Sequence, residues 1–78
     1  MITSEQVRMA RAALKWSVAE LSRHAGVAAK TVIRYENGGN ATTDSVMKMK
    51  VALEHAGVVW VPENGGAAGV RPPRRREP

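Results

Sequence analysis

The sequence predicts a mainly α fold: a compact bundle of four short helices, then a strand or hairpin, then a flexible basic tail. Three observations predict it. Apolar residues recur at spacings of three and four in successive stretches before Gly57, the pattern of helices that each bury one face. Residues that start or stop helices bracket each stretch. Beyond Gly57 the pattern gives way to the β-branched and aromatic run Val58 to Val61, and later to Pro72-Pro73-Arg74-Arg75-Arg76.

The first helix should start at Thr3, which forms a capping-box pattern with Gln6, and should turn Val7, Ala10 and Leu14 inward. A second box, Ser17-Val18-Ala19-Glu20, opens a short helix with Leu21 and Ala25 that ends at Gly26, a residue free to take positive φ. Only Val27 and Ala28 then precede a third, amphipathic run to Asn37. Val32, Tyr35 and Glu36 share one side of it, and Lys30 and Arg34 another. Asn37-Gly38-Gly39-Asn40 ends this helix. Thr43 or Asp44 is expected to cap a fourth through His55, with Val46, Met49, Leu53 and Ala56 as its stripe and Gly57 as its stop. Met9, Met47 and Met49 are expected as core or near-core filler. Val58 to Val61 reads as a strand, Glu63-Asn64-Gly65-Gly66 as a turn, and Gly69 to Arg71 as a return strand. A lone hairpin is marginal in water, so this one should pack on the bundle or pair with a second chain. Three segments follow: the bundle at 1–57, the strand or hairpin at 58–71, and a tail at 72–78 too charged and proline-rich to fold.

Composition narrows the function. With 78 residues there is room for one domain and little prospect of a deep enzyme cleft. The absence of Cys removes disulfides and thiolate metal sites. His24 and His55 lie far apart without metal-ligand spacing, and no nucleophile, base and orienter stand ready to converge. The Gly-Gly pairs lack the Lys-Ser/Thr that follows in a phosphate loop. No enzymatic activity, metal or cofactor is therefore expected. Met1 to Glu5 lack the basic start and apolar stretch of a secretory signal, and no apolar run nears the roughly 20 residues of a membrane span. A cytoplasmic protein without membrane association is expected. The formal net charge of +5 points towards nucleic acid. Residues 71–78, however, hold four Arg and one Glu, a net of +3 that leaves +2 for the remainder. The tail either adds non-specific phosphate attraction or is a solvated terminus. A case for DNA has to rest on residue placement in the bundle.

That placement is informative. Two helices joined by a tight turn at Gly26-Val27-Ala28 have the form of a helix-turn-helix unit, whose second helix lies in the major groove with its N-terminal residues against base edges. On that second helix Lys30 and Arg34 suit the O6 and N7 acceptors of guanine. The stretch from Trp16 to Val27, with Ala19-Glu20-Leu21 and Ala25-Gly26-Val27, and the stretch from Thr31 to Gly38, with Glu36-Asn37-Gly38, resemble the Xre family of bacterial and phage regulators, which includes the phage repressor and Cro proteins. The resemblance extends over roughly residues 5–56.

It implies a repressor-like helix-turn-helix bundle that binds double-stranded DNA and regulates transcription, in the cytoplasm of a bacterium or its phage and associated with the nucleoid. By position, it implies base contacts from Ala29, Lys30 and Arg34 on a recognition helix from Ala28 to Asn37, with Thr31 as a lesser candidate. Asn37, Asn40, Thr42 and Thr43 fall in the family's phosphate-contacting region, where turn and cap roles are the other reading. Ile33 points away from the core, towards either a thymine methyl or a protein partner. The resemblance also pairs Glu36 with Arg11 as architecture. Two positions depart from the family pattern: Val18 stands where Gln commonly braces the recognition helix, and Ala28 where Ser commonly caps it. Regulators of this size commonly bind two half-sites as a homodimer, and Val58, Val59, Trp60 and Val61 are the expected pairing strand. The alternative is an interaction protein on the same scaffold, an antitoxin or anti-activator that binds another protein.

Overall fold

The computed structural model describes residues 2–61 and 69–71. Among them are four helices, α1 (Ser4–Leu14), α2 (Val18–Ala25), α3 (Ala29–Glu36) and α4 (Thr43–His55), and two strands, β1 (Val59–Val61) and β2 (Gly69–Arg71). The expected mainly α bundle with a terminal hairpin is what forms.

Local chemistry explains most helix boundaries. Thr3 caps α1 and Ser17 caps α2, each in a complete box with Gln6 or Glu20 reaching back to the cap N–H. The Glu20 carboxylate is held below its ordinary pKa, chiefly by the Ser17 backbone N–H that it accepts from. Gly26 ends α2 at φ 72, where a side chain would be strained. Lys15 ends α1 in the same left-handed region at φ 59, a place more often given to glycine. The cap of α4 is Thr42, one residue ahead of the expected Thr43 or Asp44: its hydroxyl accepts from the Ser45 N–H at 3.0 Å.

The core is built from Val7 and Ala10 of α1, Leu21 of α2, Val32 of α3, and Val46, Met49, Ala52 and Leu53 of α4, with Ile2 and Val58 at its ends. Leu14, Ala25 and Trp16 pack against it from the rim. Trp16 stacks on His24 with ring centroids 4.3 Å apart, which joins the turn after α1 to the last turn of α2. Of the three methionines expected inside, only Met49 is buried. Met9 is 39% and Met47 is 42% exposed, because each points away from the face its helix buries.

β1 and β2 pair antiparallel, with Trp60 opposite Val70. The expected strand loses its first member. Val58 is a core residue, 4% exposed, whose N–H donates to the Leu53 carbonyl and closes the C-terminus of α4. Its side chain packs in the core of the single chain rather than on the strand. Trp60 and Val70 of the hairpin pack against the core, and two side-chain bonds among the described residues strengthen the join. Gln6 Nε2 donates to the Gly69 carbonyl at 2.9 Å, and Trp60 Nε1 donates to Glu54 at 2.8 Å. Glu54 also accepts from Lys50 at 2.8 Å, and these two donors hold its carboxyl below the ordinary value. The turn expected at Glu63 to Gly66 and the tail at 72–78 lie outside the described residues.

Candidate nucleic-acid interface

Helix α3 has one inner and one outer face, and the inner one fixes its pose. Val32 is fully buried and Glu36, one turn later, is 6% exposed. A buried carboxylate needs partners, and Glu36 takes two bonds from a single side chain: Arg11 Nε donates to Oε2 at 2.8 Å and Arg11 Nη2 to Oε1 at 2.9 Å. The planar fork of the guanidinium matches a carboxylate in this bidentate way. Its remaining nitrogen, Nη1, donates to the Trp16 carbonyl at 3.0 Å. The Arg11 guanidinium therefore links α1, the turn before α2, and α3. The bonds to Glu36 raise its pKa above the ordinary value, against the opposing effect of burial. Tyr35 makes the second tie, donating from its hydroxyl to the Ile2 carbonyl at 2.6 Å, and burial pushes its pKa up.

The outer face carries Lys30 and Arg34, four residues apart and both exposed, so they project as neighbours from adjacent turns. Neither forms a salt bridge among the described residues. Ala28 and Ala29 are exposed beside them, and Ile33 is 48% exposed on the adjoining flank. Thr31 is half-buried. The first N–H groups of any helix lack acceptors within it. At α3 no side chain caps them, because Ala28 occupies the cap position. These groups stand at the positive end of the helix dipole. Asn37, Asn40 and Thr43 are exposed in and after the loop that ends α3. The Thr42 hydroxyl is engaged in the α4 cap and also donates to Ser45 Oγ at 2.9 Å.

A helix, a three-residue turn that opens at Gly26, and a second helix with a buried anchor face and an exposed basic face make up a helix-turn-helix unit. A helix-turn-helix family model of the Cro type, found in Xre-like repressors, matches residues 7–53. The chain belongs to this family. This helix-turn-helix chain therefore carries a DNA-binding domain of the transcription-regulator kind. The match runs from Val7 of α1 to Leu53 of α4, so it takes in both members of the Arg11–Glu36 pair and ends before the hairpin. No curated protein matches the chain. No helix among the described residues is long and apolar enough to cross a membrane.

The site contains features that sequence patterns alone do not reveal. Gln6 serves α1 as a cap and holds the hairpin with its amide nitrogen. Gly39 approaches Arg34 closely. A capping box marks Gln6 in the sequence but says nothing of its second task, and Gly39 looks like any turn glycine.

Proposed function

We propose that the chain is a sequence-specific transcriptional regulator that sets α3 in the major groove and acts as a homodimer. The observation that carries this reading is the pairing, on one short helix, of an anchored inner face with a basic outer face that forms no salt bridge among the described residues. Lys30 and Arg34 are the base readers, Ala29 contributes a methyl contact, and Thr31 and Ile33 flank them. The uncapped N–H groups at Ala28 to Lys30 take a phosphate, and Asn37, Asn40 and Thr43 take others. Among the described residues no carboxylate pairs with either cation, and Glu36 is turned inward and held by Arg11.

A gel shift of the chain against duplexes from its own promoter region, over a salt series, tests this. Retardation should weaken steeply with salt, because neutralised phosphates release counterions. Lys30→Ala and Arg34→Ala should each weaken specific binding by about 1–3 kcal/mol and leave non-specific binding little changed. No retardation of any fragment at low salt would sink the reading.

A second reading, docking of another protein, draws support from the apolar exposure of Ile33 with Ala28 and Ala29 beside it. The two readings part at Ile33→Asp. If the flank docks a protein, DNA affinity survives this change apart from the effect of the added charge.

A further inference from the structure

We propose that Gly39 is a positioning residue for Arg34: its missing Cβ lets the loop after α3 lie against the Arg34 side chain and limit where the guanidinium can point. The inference rests on the reading of α3 as the DNA-facing helix. The Gly39 N–H donates to the Arg34 carbonyl at 2.8 Å, which folds the loop back over the last turn of α3. A Cβ placed on Gly39 would stand 2.8 Å from Arg34 Cγ and 3.0 Å from the Arg34 carbonyl oxygen. The first is closer than real Cβ atoms come to a neighbour, and the second, to a backbone atom, is tight enough that the carbonyl would have to give slightly.

The neighbouring Gly38 makes the contrast. It adopts φ +86 with no atom within 4 Å of its would-be Cβ, so backbone conformation accounts for it. Gly39 has no such φ, and space is what accounts for it. A wall against Cγ acts at the root of a long side chain. It removes rotamers at χ1 and χ2 and leaves the outer bonds free. Arginine otherwise loses much rotamer freedom when it is fixed against a base. Ordering its root beforehand lowers that loss and so favours binding. Within this scheme, Arg34 makes the base contact and Gly39 acts only through it.

The test is a double-mutant cycle on the full chain, using Gly39→Ala, Arg34→Ala and the double variant. The wild type first selects its site from a randomised duplex pool. Affinities are then measured for every single-base variant of that site. Gly39→Ala should lose discrimination, roughly 5- to 150-fold, at the same base pair as Arg34→Ala and nowhere else. In the Arg34→Ala background it should change the affinity by less than about twofold, within the usual scatter of independent sites. Uniform loss at every base pair, or effects of the two substitutions that simply multiply, would overturn the proposal.

If Gly39→Ala fails to fold, the double variant decides, since it removes Cγ. Recovery of the circular dichroism spectrum in the double variant supports the side-chain contact, and continued failure assigns the need for glycine to the Arg34 carbonyl and overturns a role through the side chain. A wild type that selects no duplex refutes the reading of α3 and, with it, the role of Gly39 in DNA binding. NMR relaxation of the Arg34 Nε–H in the free protein separates that failure from one at Gly39. Lower order in Gly39→Ala than in wild type shows the contact acting without DNA, and unchanged order overturns it.

Discussion

Arg11 and Glu36 are unequal partners. Arg11 keeps 25% of its side-chain surface in water, whereas Glu36 keeps 6%. If Glu36 is changed to Gln, the guanidinium can still bond the Trp16 carbonyl and lean towards solvent. If Arg11 is changed to Met, a buried carboxylate is left with no counterion. Arg11→Met should therefore destabilise the chain by about 2–4 kcal/mol, somewhat under the value for fully buried pairs, and Glu36→Gln by clearly less. Urea unfolding midpoints check this, and the reverse order would show that Glu36 is not the stranded member. This contact was legible only through the resemblance to Xre-like regulators. Spacing put Glu36 on the inner side of α3, but nothing local to it points to a residue in α1.

At the scale of single elements, capping and pairing chemistry sets the expectations. α3 is the helix whose N-cap gives no side-chain bond, and the Ala28 backbone there already has the extended conformation that a capping residue needs, with φ −64 and ψ 142. Ala28→Ser should add about 1 kcal/mol of stability, a rise of roughly 4–8 °C in Tm for a domain of this size. A calorimetric scan showing no rise would mean that the serine hydroxyl stays in water. The link between α4 and the hairpin should weaken in acid. The carboxyl of Glu54 lies below its ordinary 4.5 when folded, so its contribution is fully present above that value and is lost as pH falls through the lower folded one. Wild type should therefore exceed Glu54→Gln in stability at neutral pH, and the gap should close in acid. A gap that stays constant from neutral pH to below the carboxylate range would contradict the Lys50 and Trp60 bonds. Element existence was well marked in the sequence because caps, glycines and apolar spacing act over a few residues. Boundaries were less so: Thr42 competes with Thr43 and Asp44 as neighbouring cap candidates, and only the bond to Ser45 decides among them.

For the molecule as a whole, the exposed residues of β1 bear on assembly. β1 pairs with β2 along one edge, while Val59 and Val61 are 51% and 38% exposed. Under the homodimer proposed above, the other edge of β1 takes a second copy, and the two α3 helices reach half-sites about one turn of DNA apart. Asp at both Val59 and Val61 should then give a monomer in sedimentation equilibrium and weaken operator binding, while each bundle stays folded. A wild type that is monomeric at high micromolar concentration would refute pairing through this strand. Trp60 is not part of the exposed pair, since it is half-buried and bonded to Glu54. Alternation along β1 thus divides its residues between the bundle and the solvent.

Local sequence chemistry sets the helices, their caps at Thr3 and Ser17, the tight turn at Gly26, the return strand, and the placing of Lys30 and Arg34 on the outer face of α3. These follow from interactions within one or two turns of chain. Tertiary structure decided what those elements do to one another. It joined Arg11 to both Glu36 and the Trp16 carbonyl, set Gln6 against Gly69, turned Val58 into the core, left Met9 and Met47 outside, and laid Gly39 against Arg34. The contacts of Arg11 with Glu36 and of Gln6 with Gly69 depend on distances between segments that become neighbours only when the helices pack, whereas Gly39 meets Arg34 only five residues back, through the path of the loop that closes α3.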